Sequence, residues 1–162
     1  MNDKYLNNLR KNDLHKGGVC KINDNTKDMV IENPIRIEFN NLYPKLLIHL
    51  YDNNILKKFN INVDPQFIER VKIYFKIDMN ETQRKVEKAW LNSIWRYELK
   101  EDSSQIFDLF NQYMTAFYTD LTNNYPNWYY IDTDRLYLNK LISNNDVPDV
   151  LKDYHSENYN YA

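Results

Sequence analysis

Asp132 and Asp134 sit one residue apart in Tyr130-Ile131-Asp132-Thr133-Asp134-Arg135, between the apolar run Trp128–Ile131 and the alternating run Leu136-Tyr137-Leu138. The pattern reads as strand, tight turn, strand, with both acids at the tip. Side chains at i and i+2 point to one face, so the two carboxylates could converge on a single cation. Asp also tolerates turn geometry and caps its own backbone, and on its own the pair reads first as turn chemistry.

Other residues become candidates through the elements that would carry them. Pro34-Ile35-Arg36-Ile37-Glu38-Phe39 alternates as a strand, with Ile35, Ile37 and Phe39 on one face and Arg36 and Glu38 on the other. Asn40 and Asn41 then open a helix through Leu42, Leu46, Leu47, Leu50 and Tyr51, with Pro44 tolerable in its first turn. Glu38 is thereby set at a strand end just before a helix. Asp64-Pro65 starts another helix through Phe67, Ile68, Val71 and Phe75, and a longer one is expected from about Glu81 to Lys100. On that second helix Lys88 and Asn92 are four apart and share a face. Ile106, Phe110, Tyr113, Met114, Phe117 and Leu121 form a core-facing helical stripe that Asn123-Asn124-Tyr125-Pro126 ends. The tail from Ser143 is polar, with a short helix expected at Pro148–Tyr154. Gly17 and Gly18, the only two glycines, supply positive φ or a close backbone approach, or make an ordinary turn.

The chain of 162 residues is 43% apolar and 15% aromatic, which predicts one ordered domain with a real core. Its net charge of −2 is unevenly spread. Residues 1–66 carry 10 basic and 8 acidic groups, 67–100 carry 8 and 5, and 101–162 carry 3 and 10. The acidic end holds the Asp-x-Asp turn, whereas the basic middle could face phosphates. Cys20 is the only cysteine, which leaves no disulfide framework or thiolate metal site and fits an intracellular setting. No apolar run approaches membrane length and the N-terminus is polar, so neither a membrane span nor secretion is expected. His15, His49 and His155 are scattered without ligand spacing and read as structural.

Taken in order, Glu38-Phe39-Asn40-Asn41-Leu42-Tyr43-Pro44-Lys45, Lys88-Ala89-Trp90-Leu91-Asn92-Ser93-Ile94-Trp95-Arg96 and Tyr130–Arg135 resemble the three polymerase motifs of family B DNA polymerases, DxxSLYPS, KxxxNSxYG and YxDTDS. His15-Lys16-Gly17-Gly18 resembles the YxGG element upstream of the palm, as in protein-primed and viral members. The resemblance covers roughly residues 15–140. It implies an α+β fold: a small antiparallel palm sheet with helices on one face and a short helical fingers hairpin. The palm would comprise residues 15–58 and 101–142, minimal fingers 59–100, and a tail 143–162.

The resemblance also implies template-directed nucleotidyl transfer by a two-metal mechanism, with cations about 4 Å apart clamping the attacking and leaving oxygens. Glu38, Asp132 and Asp134 would hold Mg²⁺ or Mn²⁺. The backbone through Asn41 and Leu42 would cradle the triphosphate of a deoxynucleoside triphosphate, with Tyr43 under the sugar. Lys88 would neutralise triphosphate charge, with Arg70 and Asn92 nearby. Gly17, Gly18, Trp95, Arg96 and Arg135 would face the DNA primer–template. The chain departs from the motifs at several positions. Glu38 stands where the family has Asp, Asn41 and Lys45 where it has Ser, Trp95-Arg96 where it has Tyr-Gly, and Arg135 where it has Ser. The fingers would be one hairpin, and 28 residues after Asp134 are too few for a thumb. Grip on DNA and any proofreading would then come from another polymerase or replication subunit. Two rival readings follow: a catalytically inactive palm kept as a nucleic-acid-binding or assembly module, and one subunit of a split polymerase.

Overall fold

The computed structural model describes residues 3–11, 18–76, 78–99 and 102–158, apart from the side chains of 94–97. Gly17, and the Trp95 and Arg96 side chains, lie outside the described residues. Among the described residues the fold is α+β, with five α-helices and a five-stranded antiparallel sheet. In chain order the elements are β1 (Cys20–Ile22), β2 (Ile35–Phe39), α1 (Leu42–Asp52), α2 (Ile55–Lys58), α3 (Pro65–Lys76), α4 (Glu81–Leu99), α5 (Ser103–Asn124), β3 (Tyr130–Asp132), β4 (Arg135–Leu138) and β5 (Tyr154–Asn158). The sheet order is β1-β3-β4-β2-β5.

The alternation in β2 and β4 divides the sheet into an apolar and a polar face. Ile37, Phe39, Ile131, Leu136 and Leu138 are buried on one side, in a core shared with Leu46, Leu47 and Leu50 of α1 and the Ile106–Leu121 stripe of α5. Phe39 meets Phe117 edge-on at 5.5 Å and Tyr118 at 6.2 Å, which seats α5 against the end of β2. Arg36, Glu38, Asp132, Arg135 and Tyr137 fall on the other face and remain partly exposed. Proline opens α3, and Val71, Ile68 and Phe67 bury the face that its spacing predicts. Tyr74 is 3% exposed and takes the inward place next to Phe75, which is only partly buried. Arg70 pairs with Glu87 and lies 4.8 Å over the Trp90 ring, tying α3 to α4.

The sequence reading of the tail needs correction. Its short helix is a 3₁₀ turn at Asp149–Leu151, and residues 154–158 form the edge strand β5 instead. This strand has no apolar alternation; its state comes from pairing with β2 along its whole length, Ile35↔Asn158 to Phe39↔Tyr154. At the other end of the chain, the 3₁₀ turn Lys4–Leu6 is pinned by Asp3, which accepts from the Tyr5 amide and the Tyr113 hydroxyl and pairs with His49 at 2.9 Å. Among the described residues, no helix is long and apolar enough to cross a membrane.

Candidate functional site

Strand register builds the site. Antiparallel partners share a face, and the pairs Cys20↔Asp132, Asp132↔Arg135, Glu38↔Arg135 and Glu38↔His155 run in one row across the polar face. The row therefore reads Cys20, Asp132, Arg135, Glu38, His155. Arg135 Nε lies 3.8 Å from Glu38 Oε1 and 3.9 Å from Asp134 Oδ1. His155 Nε2 lies 3.4 Å from both Glu38 Oε2 and Glu157 Oε1.

The turn that carries Asp134 is fixed from three sides. Thr133 adopts a left-handed backbone with φ 54°, uncommon for a β-branched residue. Its amide donates to the Val19 carbonyl at 2.7 Å, and its carbonyl accepts from the fully buried Tyr118 hydroxyl at 2.9 Å. The Phe39 amide donates to the Asp134 carbonyl at 2.9 Å, so the end of β2 is bound directly to the turn. Gly18 lies against Thr133: a Cβ there would stand 2.3 Å from Thr133 Oγ1. The glycine thus serves a close approach to the Asp-Thr-Asp turn.

A cleft of about 630 Å³ opens between this edge of the sheet and α4. It is lined by Glu38–Pro44 from the end of β2 and the start of α1, by Arg84, Lys85, Lys88 and Asn92 from α4, and by Thr133, Asp134 and Asp153. Glu38, Asp134 and Asp153 line its sheet side, while α4 brings three bases together with Glu81. Lys85 is shared with Glu81 at 3.9 Å, and Arg84 stacks 5.1 Å over Tyr74. Among the described residues Lys88 has no acidic partner. Burial pushes the Asp134 carboxyl above its ordinary range; its backbone hydrogen bond and Arg135 pull the other way, and Glu38 and Asp132 add to the rise. Burial likewise raises the Tyr43 hydroxyl, helped by Asp134 and Asp132. The Tyr43 ring is stacked on Phe110 at 5.4 Å, which holds it at the cleft wall.

Glu38, Asn41, Leu42, Tyr43, Lys88, Asn92 and Asp134 are brought together around this cleft. Asp132 and Arg135 stand beside it in the polar row. Arg70 is not part of the lining, because Glu87 takes its guanidinium through contacts of 2.7 and 2.8 Å. Lys45 is held by Asp153 at 2.6 Å instead of pointing a free charge at phosphate. Sequence reasoning missed Arg84 and Lys85, although their spacing of four and three from Lys88 puts them on its face. It also missed Asp153 and His155. Asn40 links these two, donating from Nδ2 to Asp153 Oδ1 at 3.1 Å and contacting His155 Nδ1 through Oδ1 at 3.0 Å. No signal in the sequence announces them, since only the β2–β5 pairing brings them here.

Hard oxygen donors suit Mg²⁺ or Mn²⁺. With Arg135 where it stands, however, the arrangement does not fit a cation shared by Glu38 and Asp134, because the guanidinium already places a positive charge within 4 Å of both. Among the described residues, no group of three His, Cys, Asp or Glu is placed to hold a metal ion. Comparison of the chain with protein-family models, curated proteins and solved structures returns no match.

Proposed function

We propose that the cleft is the nucleoside-triphosphate site of a minimal, palm-like DNA polymerase core resembling family B, with α3 and α4 as a reduced fingers hairpin. One observation carries this reading. Residues 38–44, Lys88, Leu91 and Asn92, and Thr133-Asp134 belong to stretches that resemble three polymerase motifs, are up to about a hundred positions apart, and line one cleft. The reaction class is transfer of a nucleotidyl group to a primer 3′-hydroxyl, with pyrophosphate leaving. In it, Lys88 with Arg84 and Lys85 binds the triphosphate and stabilises charge on the leaving pyrophosphate. Tyr43 supports the sugar, and Asn92 lies one turn from Lys88 on the same wall. The polar sheet face would receive the primer–template. It carries few basic groups for phosphate contacts, so DNA binding should be weak and salt-sensitive without a partner chain.

The test has two parts. Calorimetric titration with dATP should show binding that Lys88→Ala weakens by about tenfold, in line with the loss of a charge-assisted contact. Primer extension with Mg²⁺ or Mn²⁺ should then be abolished by Asp134→Asn. Absence of dATP binding would sink the nucleotide reading. A second reading, a palm that binds nucleotide without transferring it, is favoured by the Arg135 contacts to Glu38 and Asp134. Binding without extension, with or without a co-purifying thumb-bearing chain, would select it.

A further inference from the structure

We propose that Arg135 is a built-in counter-ion for Glu38 and Asp134, which competes with any divalent cation for those carboxylates and keeps their cation affinity low in the free protein. The inference concerns the same site as the nucleotide reading and deepens it, but its test does not require nucleotide to bind.

The position follows from the fold. Thr133 and Asp134 are the two turn residues between β3 and β4, so residue 135 is the first of β4 and must oppose Asp132. The β2–β4 register then places it opposite Glu38 as well. A side chain at 135 is therefore fixed between two acids on the polar face, with a third acid preceding it in the turn. A short residue there would leave three carboxylates facing one another across the row. Arginine instead brings one delocalised positive charge within 4 Å of two of them.

The geometry also shows how tightly it is held. At 3.8 and 3.9 Å the contacts from Nε are ion pairs, too long for hydrogen bonds. Arg135 Nε is inaccessible to solvent and, among the described residues, has no hydrogen-bond acceptor. A buried donor without an acceptor carries a desolvation cost. Charge is thus compensated without directional bonding, an arrangement that opposes a second cation by electrostatics rather than by a closed shell of ligands. His155 Nε2 lies on the other side of Glu38 at 3.4 Å, where it adds to this only when the imidazole carries a proton.

Mn²⁺ alone is the probe, titrated into the whole chain and followed by the electron paramagnetic resonance signal of the free ion. Wild type is compared with Arg135→Ser, Arg135→Gln and Arg135→Ser/Asp134→Asn. One opposite charge within 4–6 Å shifts a carboxylate's affinity for protons by about tenfold or more, and a comparable factor is expected for a cation. Both single variants should therefore bind one Mn²⁺ about tenfold tighter than wild type, and the double variant should lose that gain. Arg135→Gln keeps the stem of the side chain and serves where Arg135→Ser fails to fold, with circular dichroism as the check. Equal Mn²⁺ affinity in wild type and the folded variants would overturn the proposal, as would a gain that survives Asp134→Asn. The dATP titration is read separately: its failure removes the nucleotide reading and leaves the Mn²⁺ comparison valid.

Discussion

Gly18→Ala tests whether the Asp-Thr-Asp turn is positioned by the chain that precedes β1. The new methyl would stand 2.3 Å from Thr133 Oγ1, 3.1 Å from Cγ2 and 3.2 Å from Cβ. Rotating the threonine side chain relieves the first contact but not the last. Nor can the two segments separate freely, because the Thr133 amide is bound to the Val19 carbonyl at 2.7 Å and Tyr118 holds the Thr133 carbonyl. Overpacking of this kind costs about 1–3 kcal/mol. For a chain of this size that corresponds to roughly 2–4 °C in Tm per kcal/mol. A shift of about 1 Å in the turn would also move Asp134, and misplacement on that scale can cost on the order of 10²-fold in rate. The decisive comparison adds Thr133→Gly, which removes all three crowded atoms and suits φ 54°. Denaturant unfolding of both single variants and the double variant gives the coupling, expected at about 0.5–3 kcal/mol for residues in contact. Strict additivity of the two costs would refute the claim that Gly18 acts through the turn.

Three further outcomes are expected. Tyr118→Phe should cost about 0.5–1.5 kcal/mol in denaturant unfolding, because the Thr133 carbonyl loses its buried donor. Asp134→Asn should raise Tm at pH 7: burial lifts the folded carboxyl above 3.8, so its ionisation opposes folding above that value, and the gain should disappear well below it. For Asp3, burial acts to raise the carboxyl but hydrogen bonds from His49, Tyr113 and the Tyr5 amide outweigh it, and the net direction is downward from 3.8. Its stabilising effect is then present above the unfolded value and lost as pH falls through the folded one. Asp3→Asn should lower Tm at neutral pH, and a melting series into acid should show the gap to wild type closing; a constant gap would exclude the linkage.

The elements whose burial is one-sided were legible in the sequence, because one-sided burial leaves a period. The Ile35, Ile37, Phe39 alternation predicted β2, and the spacing from Ile106 to Leu121 predicted the buried stripe of α5. The Asp-x-Asp hairpin was legible from its turn residues. Two strands were not. Cys20–Ile22 is exposed along its length, and Tyr154–Asn158 is an edge strand with partly or fully exposed side chains, so neither carries a burial pattern. Their strand state is dictated by hydrogen bonding to β3 and β2, which is a long-range property. The same limit applied to partners. Lys88 and Asn92 could be placed on one helical face from their spacing, but that Glu87 would claim Arg70 and Asp153 would claim Lys45 depended on how helices and strands met in space.

The polar row shows why a reading from motif spacing and a reading from charge balance can diverge at one site. Across the sheet it alternates in kind: Asp132, Arg135, Glu38, His155. Opposite charges on directly paired strand positions contribute about 0.2–1 kcal/mol each, and like charges there are unfavourable. The row can therefore stay on an open face without a ligand, since each acid already has a base beside it. A site that depends on a bound cation is built the opposite way, with acids left uncompensated until the cation arrives, and its carboxylates are unfavourable in the free protein. Asp134 retains that second character: its carboxyl is pushed up by burial and by its acidic neighbours even with Arg135 at 3.9 Å. Glu38 has the first, with contacts to Arg135 at 3.8 Å and to His155 at 3.4 Å from its two oxygens. The longer side chain at 38 is what allows one carboxylate to reach both neighbouring strands. Asp at that position would shorten the reach and loosen the compensation from both sides, so Glu38 and Arg135 work together as one arrangement rather than two.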